Sequence, residues 1–89
     1  MKAIITVVGN DKVGIIARVS KILAEENINI LDISQTIMQN MFTMIMLVDV
    51  SEIKVNFNEI SDILDALGKE LDLSIKIQHE NIFNSMHRI

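Results

Sequence analysis

Three observations predict an α+β sandwich, one four-stranded antiparallel sheet with two helices on one face. First, strand-like apolar runs and amphipathic helical runs follow the order β-α-β-β-α-β across 89 residues, with no Pro, linker or repeat between them. Second, each helix returns the chain to the same sheet by a right-handed crossover, the hand that such connections take. Third, the composition is 49% hydrophobic but only 3% aromatic, so the core must be aliphatic, built from Ile, Val, Leu and Met. A chain of this length is one domain. The resulting arrangement is a ferredoxin-like sandwich.

Each element has its own signal. Lys2 to Val8 reads as a strand with Ile4, Ile5, Val7 and Val8 on both faces, which marks it as central. Val13 to Glu26 reads as a helix. Ile15, Ile16, Val19, Ile22 and Leu23 form its apolar stripe, with Arg18, Lys21 and Glu25 opposite on a solvated face. Asp11 suits an N-cap or first-turn acid there, and Asn27 a left-handed C-cap.

Ile28 to Met38 is a second strand, with Leu31, Ile33 and Ile37 on one side and Asp32, Ser34 and Thr36 on the other. Gln39-Asn40 makes the hairpin turn. Phe42 to Val50 is a third strand, apolar on both faces and therefore central and covered on both sides. Asn56 and Glu59 resemble a capping box. They open a helix whose stripe is Ile60, Ile63, Leu64, Leu67 and Leu71. Leu73, Ile75 and Ile77 then alternate with Ser74, Lys76 and Gln78, as in a half-buried edge strand. Ile82, Phe83, Met86 and Ile89 fall at helical spacing in a short C-terminal tail helix.

Two central strands are apolar on both faces, yet only two helices are available to cover them. An open face of that kind is a large apolar patch. Either the tail folds over it, or a second subunit covers it or extends the sheet at an edge. A homodimer or higher homo-oligomer is expected.

Charge and composition narrow the function. A net charge of −4 argues against nucleic acid as a partner. No apolar run approaches the ~18 residues of a membrane helix, and Met1-Lys2 leads into a short apolar run without a cleavage site, so no membrane association or signal peptide is expected. The expected location is cytoplasmic. With no Cys, thiolate chemistry is absent. Met38, Met41, Met44, Met46 and Met86 read as adaptable packing rather than a soft-metal site. His79 and His87 match no zinc spacing. No metal and no cofactor are expected.

The stretch Val8-Gly9-Asn10-Asp11-Lys12-Val13-Gly14-Ile15-Ile16-Ala17-Arg18 carries the most functional information. A Gly near the start of a helix costs roughly 1 kcal/mol against Ala. It earns its place either by letting a ligand approach the backbone or by relieving crowding between helix and strand. Free N–H groups and the positive dipole end at such a start suit a carboxylate or another small anion. Asp11 reads either as a helix cap or as a ligand contact. Asn29 reads either as a turn residue or as a ligand contact.

Two motifs, Asn10-Asp11-Lys12-Val13-Gly14-Ile15-Ile16 after strand one and Glu26-Asn27-Ile28-Asn29-Ile30 entering strand two, resemble an ACT domain in this element order. The resemblance covers residues 1–79. The length and the tail, residues 80–89, are similar to stand-alone single-ACT proteins, themselves similar to the ACT halves of the glycine cleavage system transcriptional repressor. The resemblance implies a regulatory sensor of a small amino acid or related metabolite, with the ligand held at an interface between two domains. It implies ligand contacts from Asn10 and Asp11 in the first loop, from the backbone of Gly14, Ile15 and Ile16, and from Asn29 at the start of strand two. The tail would pack on the domain or on a neighbouring subunit. Two positions depart from the pattern. Asp11 stands where serine-binding members carry Asn, which suits an ammonium group and repels a carboxylate. Val13 stands where Pro is usual.

Other functions fit less well. The alternative to a sensor is a ligand-free interaction module that docks a partner through the sheet face or the tail. An enzyme is not expected. Gly14-Ile15-Ile16-Ala17-Arg18 resembles part of the acylphosphatase loop, but Ala17 replaces the aromatic, Val13 the Gln, and Asp11 would sit beside the phosphate. No Ser-His-Asp arrangement has motif support. An RNA-recognition module needs exposed aromatics on strands one and three, and Phe42 alone does not supply them.

Overall fold

The computed structural model describes residues 1–81. The stripe expected for the tail, Ile82, Phe83, Met86 and Ile89, lies outside the described residues, as does His87. The elements are β1 (Lys2–Asn10), α1 (Ile15–Glu25), β2 (Asn29–Met38), β3 (Met41–Asp49), α2 (Phe57–Leu71) and β4 (Leu73–His79). The four strands form one sheet in the order β2-β3-β1-β4, antiparallel at every pairing. The ferredoxin-like order and the central places of β1 and β3 are as the sequence predicts. Among the described residues, no helix is long and apolar enough to cross a membrane.

Both helices lie on one face. Ile5 and Val7 of β1, Met44 and Met46 of β3, and Ile75 and Ile77 of β4 meet Ile15, Val19 and Leu23 of α1 and Ile60, Leu64 and Leu67 of α2. α2 lies against β4, and α1 lies towards β2. The other face carries Ile4, Thr6 and Val8 opposite Leu47, Ile45 and Thr43. Ile4 is buried there, but Val8 and Ile45 stay open. The expected cover on both sides of β1 and β3 therefore holds for the helix face, because both helices pack on the same side. Met44 and Met46 are core residues, while Met38 and Met41 face each other, exposed, beside the hairpin turn.

Local chemistry sets the boundaries. Gln39 and Asn40 both take positive φ, 51° and 68°, as a two-residue type I′ hairpin requires. α1 ends in a Schellman motif. The Ile28 N–H donates to the Leu23 carbonyl at 2.8 Å and the Asn27 N–H to the Ala24 carbonyl at 3.2 Å, with Asn27 left-handed at φ 62°. α2 begins at Asn56, whose side-chain oxygen accepts from the Glu59 N–H at 2.8 Å while its amide donates to the Glu59 carboxylate at 2.9 Å.

Two readings need correction. α1 starts at Ile15 rather than Val13, because Gly14 takes φ 93°, outside the helical range, and becomes the N-cap. Asp11 consequently lies three residues before the cap and does not cap the helix. In β2, the register shifts between Ile30 and Asp32, so Ile30 opposes Val48 and Ile33 opposes Met46. This bulge puts Ile30 and Ile33 on the helix side, although they are three apart, and takes Leu31 off the face it was expected to share with Ile33.

Gly68 shows how closely α2 packs on the sheet. A Cβ placed there would lie 2.7 Å from the Leu73 carbonyl oxygen and 3.4 Å from the Ile75 nitrogen. Gly68→Ala should therefore destabilise by about 1–3 kcal/mol through overpacking, although Ala would gain roughly 1 kcal/mol from helix propensity. Urea unfolding of the variant checks the sign.

Candidate functional site

The loop from Asp11 to Gly14 is held from two sides. The Asp11 N–H donates to the Asn40 carbonyl at 2.7 Å, which ties the loop to the β2–β3 hairpin. The Lys12 ammonium donates to the Leu71 carbonyl at the end of α2. A positive end there complements the negative end of the helix dipole. Arg18, one turn into α1, pairs with Glu70 at 2.6 Å, so it links the two helices rather than lying free on a solvated face.

The start of α1 has unusual chemistry. Its first helical bond runs from the Arg18 N–H to the Gly14 carbonyl at 2.9 Å. The N–H groups of Ile15, Ile16 and Ala17 precede it and have no helical carbonyl to meet. No side chain caps the helix, and no acid stands in its first turn. A Cβ at Gly14 would meet nothing within 4 Å, so the glycine relieves no crowding in the fold. The positive φ explains its identity, and the space beside it is open.

That space is a cleft of about 280 Å³. On one side lie Asp11, Lys12, Gly14, Ile15, Ile16 and Ala17, and on the other Gln35, Ile37 and Phe42. It exists because β2 reaches beyond the cover that α1 provides. Every residue of β2 except the half-buried Ile30 is exposed, including Ile33 at 42% and Ile37 at 52% on the helix side. Phe42 is 2% exposed and forms the floor beside Ile15. A second groove, about 430 Å³, lies at the other end of the molecule against Met1, Lys2, His79, Glu80 and Asn81. Its lining is polar apart from Met1, and Glu80 and Asn81 are already helical there.

The candidate residues divide between the two ends of the sheet. Asp11, Gly14, Ile15 and Ile16 line the cleft, and Asn10 ends β1 immediately before it. Asn29 does not join them. It pairs with Asp49, and Asp49 pairs with Lys2, whereas Asn10 pairs with Met41. Eight strand positions separate the two levels, roughly 27 Å at the antiparallel rise. Asn29 therefore lies beyond reach of the cleft within one copy of the chain. Its neighbour Asp49 accepts from the Ser51 hydroxyl at 2.6 Å and the Ser51 N–H at 2.9 Å. Those bonds hold the Asp49 carboxyl below the usual carboxylate range.

Gln35, Ile37 and Phe42 were not legible as cleft residues in the sequence. Their apolar alternation marks strands, and only tertiary proximity brings them to the start of α1. The available signal was the hairpin itself, which returns residues 37 and 42 to the level of Gly9. His79 stacks on Phe57 with ring centroids 4.0 Å apart. Among the described residues, no three His, Cys, Asp or Glu gather as a metal site.

Comparison with known proteins bears on these features. The model of the ACT-domain family matches residues 2–78. A UPF0237 protein of Clostridium acetobutylicum is 67% identical over 89 residues, covering 100% of both chains. The solved structure of an ACT domain protein from Streptococcus pneumoniae superposes with a TM-score of 0.80 at 48% identity, covering 93% of each chain. A candidate glycine cleavage system transcriptional repressor superposes with a TM-score of 0.74 at 27% identity, over 86% of this chain and 44% of that one.

Proposed function

Because the chain belongs to the ACT-domain family, we propose that it is a regulatory sensor of a small amino acid, with the ligand bound in the cleft between the start of α1 and β2. The uncapped start of α1 carries this reading. The ligand carboxylate takes the N–H groups that follow Gly14, where the helix dipole favours negative charge. The ammonium group takes Asp11. A cleft of about 280 Å³ lies just below the ~300–1,000 Å³ of sites for drug-sized ligands, and a single amino acid suits it.

The sensor works as a pair of copies. Of the two sheet edges, β4 presents Lys76, a charge that discourages further pairing. β2 presents Ile33-Ser34-Gln35-Thr36-Ile37-Met38 without a charge, and its one acid, Asp32, accepts from the Ile33 N–H at 2.9 Å. An antiparallel two-fold pairing of β2 with β2, centred on Ile33, would place Asn29 of a second copy opposite Ile37 and so at the cleft. The amide that one copy holds at the wrong end is then supplied by the other. Occupancy strengthens subunit association, because a ligand bound by both copies stabilises the paired state.

Thermal-shift measurements against the proteinogenic amino acids test the reading. At least one should raise the melting temperature, by about 2.7 kcal/mol of stabilisation at a hundredfold excess over its dissociation constant. Asp11→Ala should weaken that ligand by about 1.5–3 kcal/mol in calorimetric titration, the worth of a hydrogen bond to a charged group. If no amino acid binds at millimolar concentration, the chain is an interaction module whose apolar edge serves another protein.

A further inference from the structure

We infer that the ligand carries an aliphatic side chain, of the size of norvaline, valine or leucine. This inference rests on the amino-acid reading of the cleft. With the carboxylate at the helix start and the ammonium at Asp11, the side chain faces the remaining surface. That surface is Ile16 on one wall, Ile37 on the other, and Phe42 with Ile15 at the floor. The floor residues are each 2% exposed, so they are fixed by the core and form a firm apolar base. The wall residues stay partly open, Ile16 at 39% and Ile37 at 52%, and an occupant would cover both.

The polar groups nearby are committed or peripheral. The Lys12 ammonium is held by the Leu71 carbonyl. The Asp11 N–H is held by the Asn40 carbonyl, and its carboxylate is assigned to the ligand's ammonium group. Gln35, exposed on β2, is the one other polar side chain that the same copy adds to the lining, and the Asn29 amide of a second copy is assigned, with Asp11, to the ligand's ammonium group. A hydroxyl or carboxylate on the ligand side chain would lose water over an apolar floor without a partner to replace it. A methyl or methylene group there gains contact and loses nothing.

Calorimetric titration with alanine, 2-aminobutyrate, norvaline and serine decides the matter. Each added methylene from alanine to norvaline should tighten binding about fourfold, the worth of burying one CH₂. Serine should bind no tighter than alanine. Ile37→Ala should flatten the series, and Ile45→Ala, on the other face of the sheet, should leave it unchanged. A flat series in the parent protein, or serine binding more tightly than norvaline, overturns the inference while the amino-acid reading stands. No binding by any amino acid overturns both.

Discussion

Met46→Asp should leave the chain unfolded, whereas Ile45→Asp should fold. The two positions are adjacent on β3, but they face opposite ways. Met46 is fully buried between the sheet and both helices, and Ile45 is 39% exposed on the other face. A carboxylate at position 46 would be a charge without partner or water. An uncompensated buried charge costs about 3–5 kcal/mol, a large part of the roughly 5–15 kcal/mol that holds a domain together. At position 45 the carboxylate keeps its water. Far-UV circular dichroism and urea unfolding of the two variants check the assignment. Equal stability would mean that the faces of β3 are wrongly assigned.

Ile33→Asp should turn an associated protein into a monomer without unfolding it. Ile33 lies on the exposed edge strand at the proposed centre of the two-fold pairing. Around a two-fold axis the substitution enters twice, and the two carboxylates oppose each other. Like charges directly opposite across a strand pair are destabilising, and such a juxtaposition in an interface costs several kcal/mol. The dimer should therefore weaken by about a hundredfold or more, at 1.4 kcal/mol per factor of ten. The monomer itself should lose no more than about 0.5 kcal/mol, as at other surface positions. Sedimentation at micromolar concentration should show at least a dimer for the parent and a monomer for the variant. A parent that sediments as a monomer, or a variant that still pairs, removes β2 from the interface.

Features encoded by neighbouring residues were readable in the sequence. The capping pair Asn56 and Glu59, the left-handed Asn27 and the Gln39-Asn40 hairpin each depend on a few adjacent side chains, and each stands where the chemistry put it. The start of α1 was misplaced by two residues because Gly14 can continue a helix or stop one. The choice of φ 93° is made by loop contacts with Asn40 and Leu71, distant in sequence. The bulge at Leu31 has no local mark, since no Gly or Pro accompanies it. Gly68, in the middle of α2, has its reason in the Leu73 carbonyl on the next strand, which the sequence of the helix alone does not show.

The candidate site divides in the same way. Asp11, Gly14, Ile15 and Ile16 are contiguous, and a strand leading into a helix start announces them. Gln35, Ile37 and Phe42 join them through strand pairing and the reach of the edge strand past α1. Asn29 was grouped with Gly14 by resemblance alone, and a single copy keeps them at opposite ends of the sheet.

That separation supplies the most direct test of a cleft shared between two copies. Asp11→Ala and Asn29→Ala proteins should each bind the ligand weakly when alone, since every site in each pair lacks one contact. In a two-fold pair, each site takes Asp11 from one copy and Asn29 from the other. Mixing the two variants and allowing subunits to exchange then assembles pairs in which one site has both residues intact and the other has neither. Calorimetric titration of the mixture should recover a population of sites with the affinity of the parent protein. A mixture that binds no better than its two components measured separately would contradict the shared cleft.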